Sequence, residues 1–256
     1  MLPGEEAVLS AKHFGILLEK GDRLVLLALA MTGGGEARMR EAELGFIGVV
    51  LGLYAKAVKT FRAIHLLCVH GLCEDAQALL RTLSEVLADI KYLAKEDQVN
   101  RAQQYLDFTV IQDQKMINAT EQNPELRGMF PDAVRDIVQE RIEDARRRMP
   151  EEEFKRRYNS GAWHGRGIEE VMHDVGMQSA YDISFRLGSR AVHATDLFDH
   201  MDWDPERGFV LKLLPGDKWA LPVLNESNLL FLDILCQVNT IGNFGADEQI
   251  RTELEK

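Results

Sequence analysis

Apolar residues recur at intervals of three and four along most of the chain, which is the spacing of one face of an α-helix. This pattern predicts helices at 4–31, 37–70, 74–95, 98–121, 131–158, 167–175, 179–201 and 226–243, with ends uncertain by a few residues. The continuous apolar runs at 24–31 and 44–55 are shorter than the roughly 20 residues that a membrane-spanning helix needs. We therefore interpret them as buried helices and expect no membrane association.

The breaks between the predicted helices have chemical causes. Gly71 followed by Leu72 is typical of a left-handed helix cap with an apolar residue after it. Glu74 and Asp75 then stand in the next first turn, where negative charge favours the helix dipole. The second and third helices should therefore form a tight antiparallel hairpin. Pro150 interrupts the densely charged segment 141–157, which predicts either a kinked helix or two short ones.

One segment carries a β-strand signal. Residues 208–222, GFVLKLLPGDKWALP, contain two short apolar runs on either side of Pro215, Gly216 and Asp217. We expect a β-hairpin there, followed by the C-terminal helix. No long linker or internal repeat is visible, so the sequence predicts one domain over residues 1–256. Its fold class is mainly all-α, a helical bundle with a small C-terminal β-hairpin.

Composition narrows the classes of function. The 256 residues are 46% hydrophobic, which is enough for a packed core, and the formal net charge is −11. Such acidity argues against a general nucleic-acid or membrane-surface binder, because those proteins usually need a positive field. Cys68, Cys73 and Cys236 are odd in number and form no CxxC pair, which favours reduced thiols. The N-terminal residues lack the features of a signal peptide, so we expect a cytoplasmic protein.

The predicted helix 179–201 has a polar side with a possible chemistry. At about 100° per residue, one face collects Asp182, Arg186, Ser189, Arg190, His193, Asp196 and His200. The simpler interpretation is a solvated face with an Asp182–Arg186 ion pair. The alternative is a catalytic face, with Arg186, His193, Ser189 and Arg190 as candidates. There His193 would transfer a proton while arginine stabilises a charged phosphorane, which would cleave RNA without a metal ion.

A second group of residues suggests binding. Arg81 precedes Glu85 by one helical turn, and this order supports a helix poorly, so we expect a buried polar link to another helix through Tyr181 or His193. His164 lies in the loop WHGRG ahead of a helix, where backbone N–H groups can hold an anion. The simpler interpretation of that loop is a turn held by a packed tryptophan. The binding candidates are therefore Arg81, Glu85, Tyr181 and His164.

Metal and cofactor motifs are incomplete. Glu170 and His173 form an ExxH pair, but no second ExxH is present to complete a di-iron site. His193, Asp196 and His200 share a predicted helix face, yet they would need a further ligand such as His164. The phosphate-binding patterns GxxxxGK[ST] and GxGxxG are both absent. We expect no metal ion and no cofactor.

Two segments, 56–93 and 162–196, resemble a family of prokaryotic helical proteins that is described as a domain of unknown function. The resemblance lies in LRxxxE, here Leu80, Arg81 and Glu85, and in a tyrosine-bearing helix that ends in SxxVH, here Tyr181, Ser189, Val192 and His193. It covers about residues 50–200 and implies a helical fold but no activity. Residues from 201 onward lie outside it.

The spacing from Arg186 to His193 also resembles the RxxxxxxH motif of HEPN-type ribonucleases, although Leu187 stands where that family usually has a polar residue. Two functions therefore stay open. The first is a binding or interaction module that forms homo-oligomers or binds an unknown protein partner. The second is a metal-independent RNA endonuclease built on Arg186 and His193. A role in stress or phage defence would follow only from that second resemblance.

Overall fold

The computed structural model describes residues 5–33, 45–159, 161–193, 195, 197–212 and 216–255. The helices are α1 (Glu5–Met31), α2 (Phe46–Val69), α3 (Cys73–Lys95), α4 (Gln98–Gln122), α5 (Asp132–Arg148), α6 (Glu151–Asn159), α7 (Ile168–Asp174), α8 (Gln178–Ala180), α9 (Arg186–Val192), α10 (Ala220–Gly242) and α11 (Asp247–Leu254). A π-helical segment, Tyr181–Phe185, joins α8 to α9, and a 3₁₀ turn spans Leu197–Asp199. The strands are β1 (Met201–Asp204) and β2 (Gly208–Leu211). The mainly all-α fold class with a small β-hairpin is confirmed.

The main core lies where α2, α3 and α10 pack together, with α1 against α2 and α10. Phe61 of α2 stacks on Phe231 of α10 with ring centroids 4.1 Å apart, and both rings are fully buried. Lys91 of α3 reaches Asp233 of α10 at 2.6 Å. The α9 helix and the π-helical segment pack on another side of α3, so α3 is the central helix of this core.

The predicted hairpin of α2 and α3 is confirmed by its turn. Gly71 has φ of 71°, the left-handed conformation that glycine adopts without strain. Its N–H donates to the Cys68 carbonyl at 3.1 Å, and the Leu72 N–H donates to the Leu67 carbonyl at 2.8 Å. These two bonds define a Schellman cap, which satisfies the last carbonyls of α2 and turns the chain directly into α3.

A second, smaller core lies between α4, α5 and α6. It consists of Ile111, Ile117, Val138, Ile142 and Phe154. The charged segment around Pro150 forms two helices, α5 and α6, which was one of the two predicted outcomes. We refer to α4, α5 and α6 as the α4–α6 lobe.

Three predicted element boundaries are wrong, at the end of α9, at the β-hairpin and at the start of α10. The helix predicted at 179–201 ends at Val192, and His193 occupies its C-cap. Residues 194 and 196 lie outside the described residues. The β-hairpin is shifted toward the N-terminus: β2 lies at the start of the predicted segment 208–222, but β1 precedes that segment, because the tight turn is made at Asp204. Its carboxylate accepts the backbone N–H groups of Glu206 and Arg207 at 2.8 and 2.9 Å.

The predicted turn region has another role. Gly216 donates its N–H to the Gly71 carbonyl at 2.9 Å and so ties the chain to the α2–α3 turn. The next residues lead into α10, which begins at Ala220 rather than at 226. The last helix, α11, was not predicted. Among the described helices, none is both long enough and apolar enough to span a bilayer.

Candidate functional site

The α9 helix retains only part of the predicted polar face. Arg186, Arg190 and His193 are exposed on it, and Ser189 is half-buried. Arg186 and His193 are seven residues apart, which places them on the same side about 10 Å apart along the axis. Asp196 lies outside the described residues, and His200 follows the 3₁₀ turn rather than continuing the helix. The structure therefore supports a shared face from Arg186 to His193 and not beyond.

Arg186 belongs to a column of stacked cations and rings. Its guanidinium carbon lies 5.2 Å from the centroid of the Tyr181 ring, which stacks on Phe185 at 5.1 Å. The Arg81 guanidinium carbon lies 4.5 Å from the centroid of the Phe185 ring. The order is cation, ring, ring, cation, and each cation–ring contact is favoured by the negative face of the ring. We call Arg81, Phe185, Tyr181 and Arg186 the stacked column.

Acidic groups surround this column. The Tyr181 hydroxyl donates to Glu169 Oε2 at 3.0 Å, and burial together with this bond raises the pKa of Tyr181. Arg186 contacts Asp182 at 3.5 Å, which is the predicted ion pair, and Glu169 at 3.9 Å. These carboxylates already balance the charge of Arg186. The geometry is that of a structural brace between α7 and the start of α9.

The predicted link between the Arg81–Glu85 pair and another helix exists, but with a different partner. Arg81 Nε donates to Glu85 Oε1 at 3.2 Å within α3, and the guanidinium then meets the Phe185 ring. Among the described contacts, neither Tyr181 nor His193 bonds directly to the pair. The prediction failed in this respect because it sought a hydrogen-bonding partner, whereas a planar guanidinium also stacks on rings.

Ser189 is not arranged as a nucleophile. Its hydroxyl donates to the Phe185 carbonyl at 2.8 Å, one turn back along the chain. This bond satisfies the hydroxyl locally, as serine commonly does within helices. Of the four predicted catalytic residues, only Arg186, Arg190 and His193 present their side chains largely to solvent.

His164 lies in a ring cluster rather than at an anion site. Its ring centroid is 5.5 Å from that of Trp163 and 6.0 Å from that of Tyr92. Nδ1 accepts the backbone N–H of Arg166 at 3.2 Å. Burial, and then the charge of Arg166, lower the pKa of His164 to about 4. The imidazole is therefore neutral at physiological pH and acts as an acceptor that shapes the loop.

The sequence analysis missed a titratable centre at Asp89. The Trp163 indole N–H donates to Asp89 Oδ1 at 2.8 Å, which fixes the loop onto α3. Burial raises the pKa of Asp89 to about 7 against the opposing effect of this bond, and the charge of Glu85 adds to the rise. The nearby carboxylate also contributes to raising the pKa of Tyr105 to about 12, after burial. The available signal was a lone carboxylate inside the apolar run from Val86 to Ile90.

Among the described residues, no group of three or more His, Cys, Asp or Glu side chains is placed to hold a metal ion. The three cysteines, all of which are described, are free thiols. Cys68 and Cys73 are both buried at the α2–α3 turn, and their contact raises the pKa of Cys68.

The β-hairpin exposes an apolar face. The antiparallel register pairs Met201 with Leu211 and Trp203 with Phe209, so these four side chains share one side of the sheet. The rings of Trp203 and Phe209 meet edge to face with centroids 5.1 Å apart. Trp203, Phe209 and Leu211 are still 63%, 62% and 63% exposed. We call these four residues the hairpin face.

The opposite side of the same sheet is different. It carries Asp202 and Asp204 on β1, opposite Val210 and Gly208 on β2. Lys212 lies 3.5 Å from Asp202. One side of the hairpin is therefore charged and well solvated, whereas the other exposes apolar side chains to water. Phe198, which is 74% exposed in the preceding 3₁₀ turn, adds to the apolar surface of this region.

Comparison with known families identifies residues 48–209 as matching the family of unknown function DUF5677. The chain belongs to the DUF5677 family. The resemblance that the sequence predicted over about 50–200 is thus confirmed, although the DUF5677 region also takes in β1 and the start of β2. The stacked column and Asp89 both lie within the DUF5677 region. Comparisons with curated proteins and with solved structures give no match.

Proposed function

We propose that this DUF5677 protein is a cytoplasmic interaction module that assembles with a second copy of itself through the hairpin face. The observation that carries the proposal is the exposure of Trp203, Phe209 and Leu211 on a sheet of only two strands. An isolated two-stranded hairpin is marginally stable in water and needs something packed on its apolar side. Contiguous exposed apolar surface of this kind marks interaction sites.

A second copy fits this surface on grounds of charge. The hairpin face carries no charged residue, so it can meet its own copy without like-charge contacts, as a two-fold symmetric interface requires. Aromatic side chains at the centre of an interface supply much of its binding energy. The opposite side of the sheet carries Asp202, Asp204 and Lys212, and burying these charges against a second copy would be costly. The charge pattern therefore selects the side that pairs.

The test is the mass of the particle in solution, measured by light scattering after size-exclusion chromatography. The wild-type chain is expected to be a dimer, and the double variant Trp203→Ser/Phe209→Ser a monomer. Val210→Ser is the matched control, since Val210 is an exposed apolar residue on the opposite side of the same strand. A wild-type chain that stays monomeric at all concentrations would contradict the proposal. The hairpin face would then have to bind a different protein.

RNA cleavage is a second candidate, supported by the shared exposed face of Arg186 and His193 on α9. The ion pairs of Arg186 with Asp182 and Glu169 make this candidate the weaker one, because a phosphate would have to displace them. Its test is RNA cleavage in EDTA. Loss of cleavage in His193→Ala, but not in His173→Ala at an exposed position of α7, would support it, whereas equal cleavage by both variants would remove it.

A further inference from the structure

A groove of about 370 Å³ opens between the three helices of the α4–α6 lobe. This volume lies within the usual range of small-molecule sites. Its apolar base is formed by Ile142 and Phe154, which are both 3% exposed. The groove lies in the second core, away from the hairpin face and from the stacked column.

A chain of three hydrogen-bonded side chains runs along the groove. Gln114 Nε2 donates to Asn118 Oδ1 at 2.7 Å, and Asn118 Nδ2 donates to the Tyr158 hydroxyl oxygen at 3.2 Å. The Tyr158 oxygen is thereby used as an acceptor. Within the described part of the chain, the Tyr158 O–H donates to no acceptor, so it can donate to a ligand in the groove. The amide chain thus holds the phenol in place before anything binds.

The residues that line the groove carry a net positive charge, although the protein as a whole is acidic. Arg146 and Lys155 contribute two positive charges to the lining and Glu151 one negative charge, so the lining carries a net +1, whereas the whole chain carries −11. The Lys155–Glu151 contact is long, at 3.8 Å, and both side chains are more than half exposed. A ligand anion can therefore replace Glu151 as the partner of Lys155 at little energetic cost.

Aromatic rings and amide groups in the same groove can bind a planar group such as a nucleobase. The Arg146 guanidinium carbon lies 4.6 Å from the centroid of the Phe154 ring, and Phe154 stacks on Tyr158 at 6.3 Å. Gln139 and Asn159 add further amide groups to the lining. Gln139 Nε2 already donates to Glu143 Oε1 at 3.0 Å, so its remaining amide capacity and the amide of Asn159 are the groups that can pair with the edge of a base. Because Phe154 is buried, the half-buried Tyr158 ring and the exposed Arg146 guanidinium are the groups on which a base can stack.

From these contacts we infer that the α4–α6 groove binds a nucleoside monophosphate, with Arg146, Lys155 and the Tyr158 hydroxyl holding the phosphate and the amides meeting the base. The site does not depend on assembly through the hairpin face. Because the phosphate contacts are charged, the affinity should fall as ionic strength rises.

The experiment is calorimetric titration of the full chain with each of the four common nucleoside 5′-monophosphates, and with adenosine and inorganic phosphate as partial ligands. At least one nucleotide is expected to bind more tightly than either partial ligand. The double variant Arg146→Gln/Lys155→Gln should raise its Kd by about tenfold or more, since bonds to charged groups are the strong ones. Tyr158→Phe should raise the Kd by roughly fivefold.

Arg156→Gln is the matched control, because Arg156 is a 71% exposed arginine of α6 that does not line the groove. Its Kd should equal that of the wild type. Thermal unfolding of each variant shows whether the lobe is intact. Absence of binding by all four nucleotides at about 1 mM would overturn the inference. So would inorganic phosphate binding as tightly as the nucleotides, or a folded Arg146→Gln/Lys155→Gln protein that binds normally.

Discussion

Asp89 shows how one residue can couple a loop to a helix. Its carboxyl group accepts the Trp163 indole N–H, and the loop at 161–167 is thereby anchored to α3. An ionised carboxylate makes this bond strongly, but burial of the same group penalises the charge. The two effects oppose each other, and the raised pKa shows that burial is the larger one. Asp89 therefore changes its charge near neutral pH, in a region that belongs to the DUF5677 family.

The first prediction concerns the pH dependence of stability at this residue. The pKa of Asp89 is about 7 in the folded chain and near 3.8 when unfolded. Between these values the folded state binds the extra proton, so its free energy of unfolding falls as pH rises, by about 1 kcal/mol per pH unit. Asp89→Asn cannot titrate. Its stability relative to wild type should therefore increase from pH 5 to pH 8, as measured by urea unfolding.

Asp113→Asn is the control for this comparison, since Asp113 is an exposed carboxylate of α4. Its stability relative to wild type should be the same at both pH values. A difference between Asp89→Asn and wild type that does not change with pH would contradict the raised pKa, because it would mean that Asp89 is ionised in both the folded and the unfolded chain over this range.

At the scale of the element, α9 packs on α3 because of a glycine. A methyl group added at Gly188 would lie 2.4 Å from the Gln77 carbonyl oxygen and 2.5 Å from the Arg81 Cβ. The two helices therefore approach each other as closely as their backbones allow. This contact also positions the Phe185 ring over the Arg81 guanidinium, and the stacked column depends on that position.

The second prediction is that Gly188→Ala destabilises the protein by about 1–3 kcal/mol, the usual cost of overpacking. Alanine is normally the better helix former, so the opposite sign is expected where space is open. Gly52 in α2 has nothing within 4 Å of an added methyl group, and Gly52→Ala should stabilise by up to about 1 kcal/mol. Thermal unfolding of both variants checks the pair. Equal changes in stability at Gly188 and Gly52 would contradict the close contact between α9 and α3.

Elements with a strong local signal were predictable from the sequence. The periodicity located the long helices, and Gly71 with Leu72 specified the α2–α3 turn because a Schellman cap depends on neighbouring residues alone. The end of α9 and the position of the β-hairpin were not predictable in this way. Asp204 and Gly216 are both residue types that favour turns, and only tertiary contacts determine that the hairpin turn forms at Asp204. Gly216 instead bonds to Gly71, far away in the sequence.

The candidate sites followed the same division. The Asp182–Arg186 pair was visible because its partners are one turn apart. Asp89 and its Trp163 donor are 74 residues apart, and no local pattern joins them. The α4–α6 groove likewise combines three helices whose residues carry no shared motif. Chemistry assembled from distant segments depends on packing, which a single sequence does not display.

At the scale of the whole molecule, the two proposed binding surfaces differ in charge, although both belong to a chain of net charge −11. The hairpin face is uncharged, so its self-association must overcome the repulsion between two acidic molecules. The α4–α6 groove is positive, and a nucleotide is attracted to it. Salt screens both effects, since the Debye length falls from about 30 Å at 0.01 M to about 8 Å at 0.15 M. Added salt should therefore act on the two surfaces in opposite directions.

The third prediction follows from that contrast. The dimer dissociation constant should fall severalfold from 0.01 M to 0.15 M salt, because screening removes repulsion while the apolar contact is unaffected. Sedimentation equilibrium measures it, with Trp203→Ser/Phe209→Ser expected to stay monomeric at both concentrations. Over the same range the Kd of a bound nucleotide should rise. A dimer that weakens with salt would instead indicate an interface held by ion pairs, and the hairpin face, which has none to offer, could not be its centre.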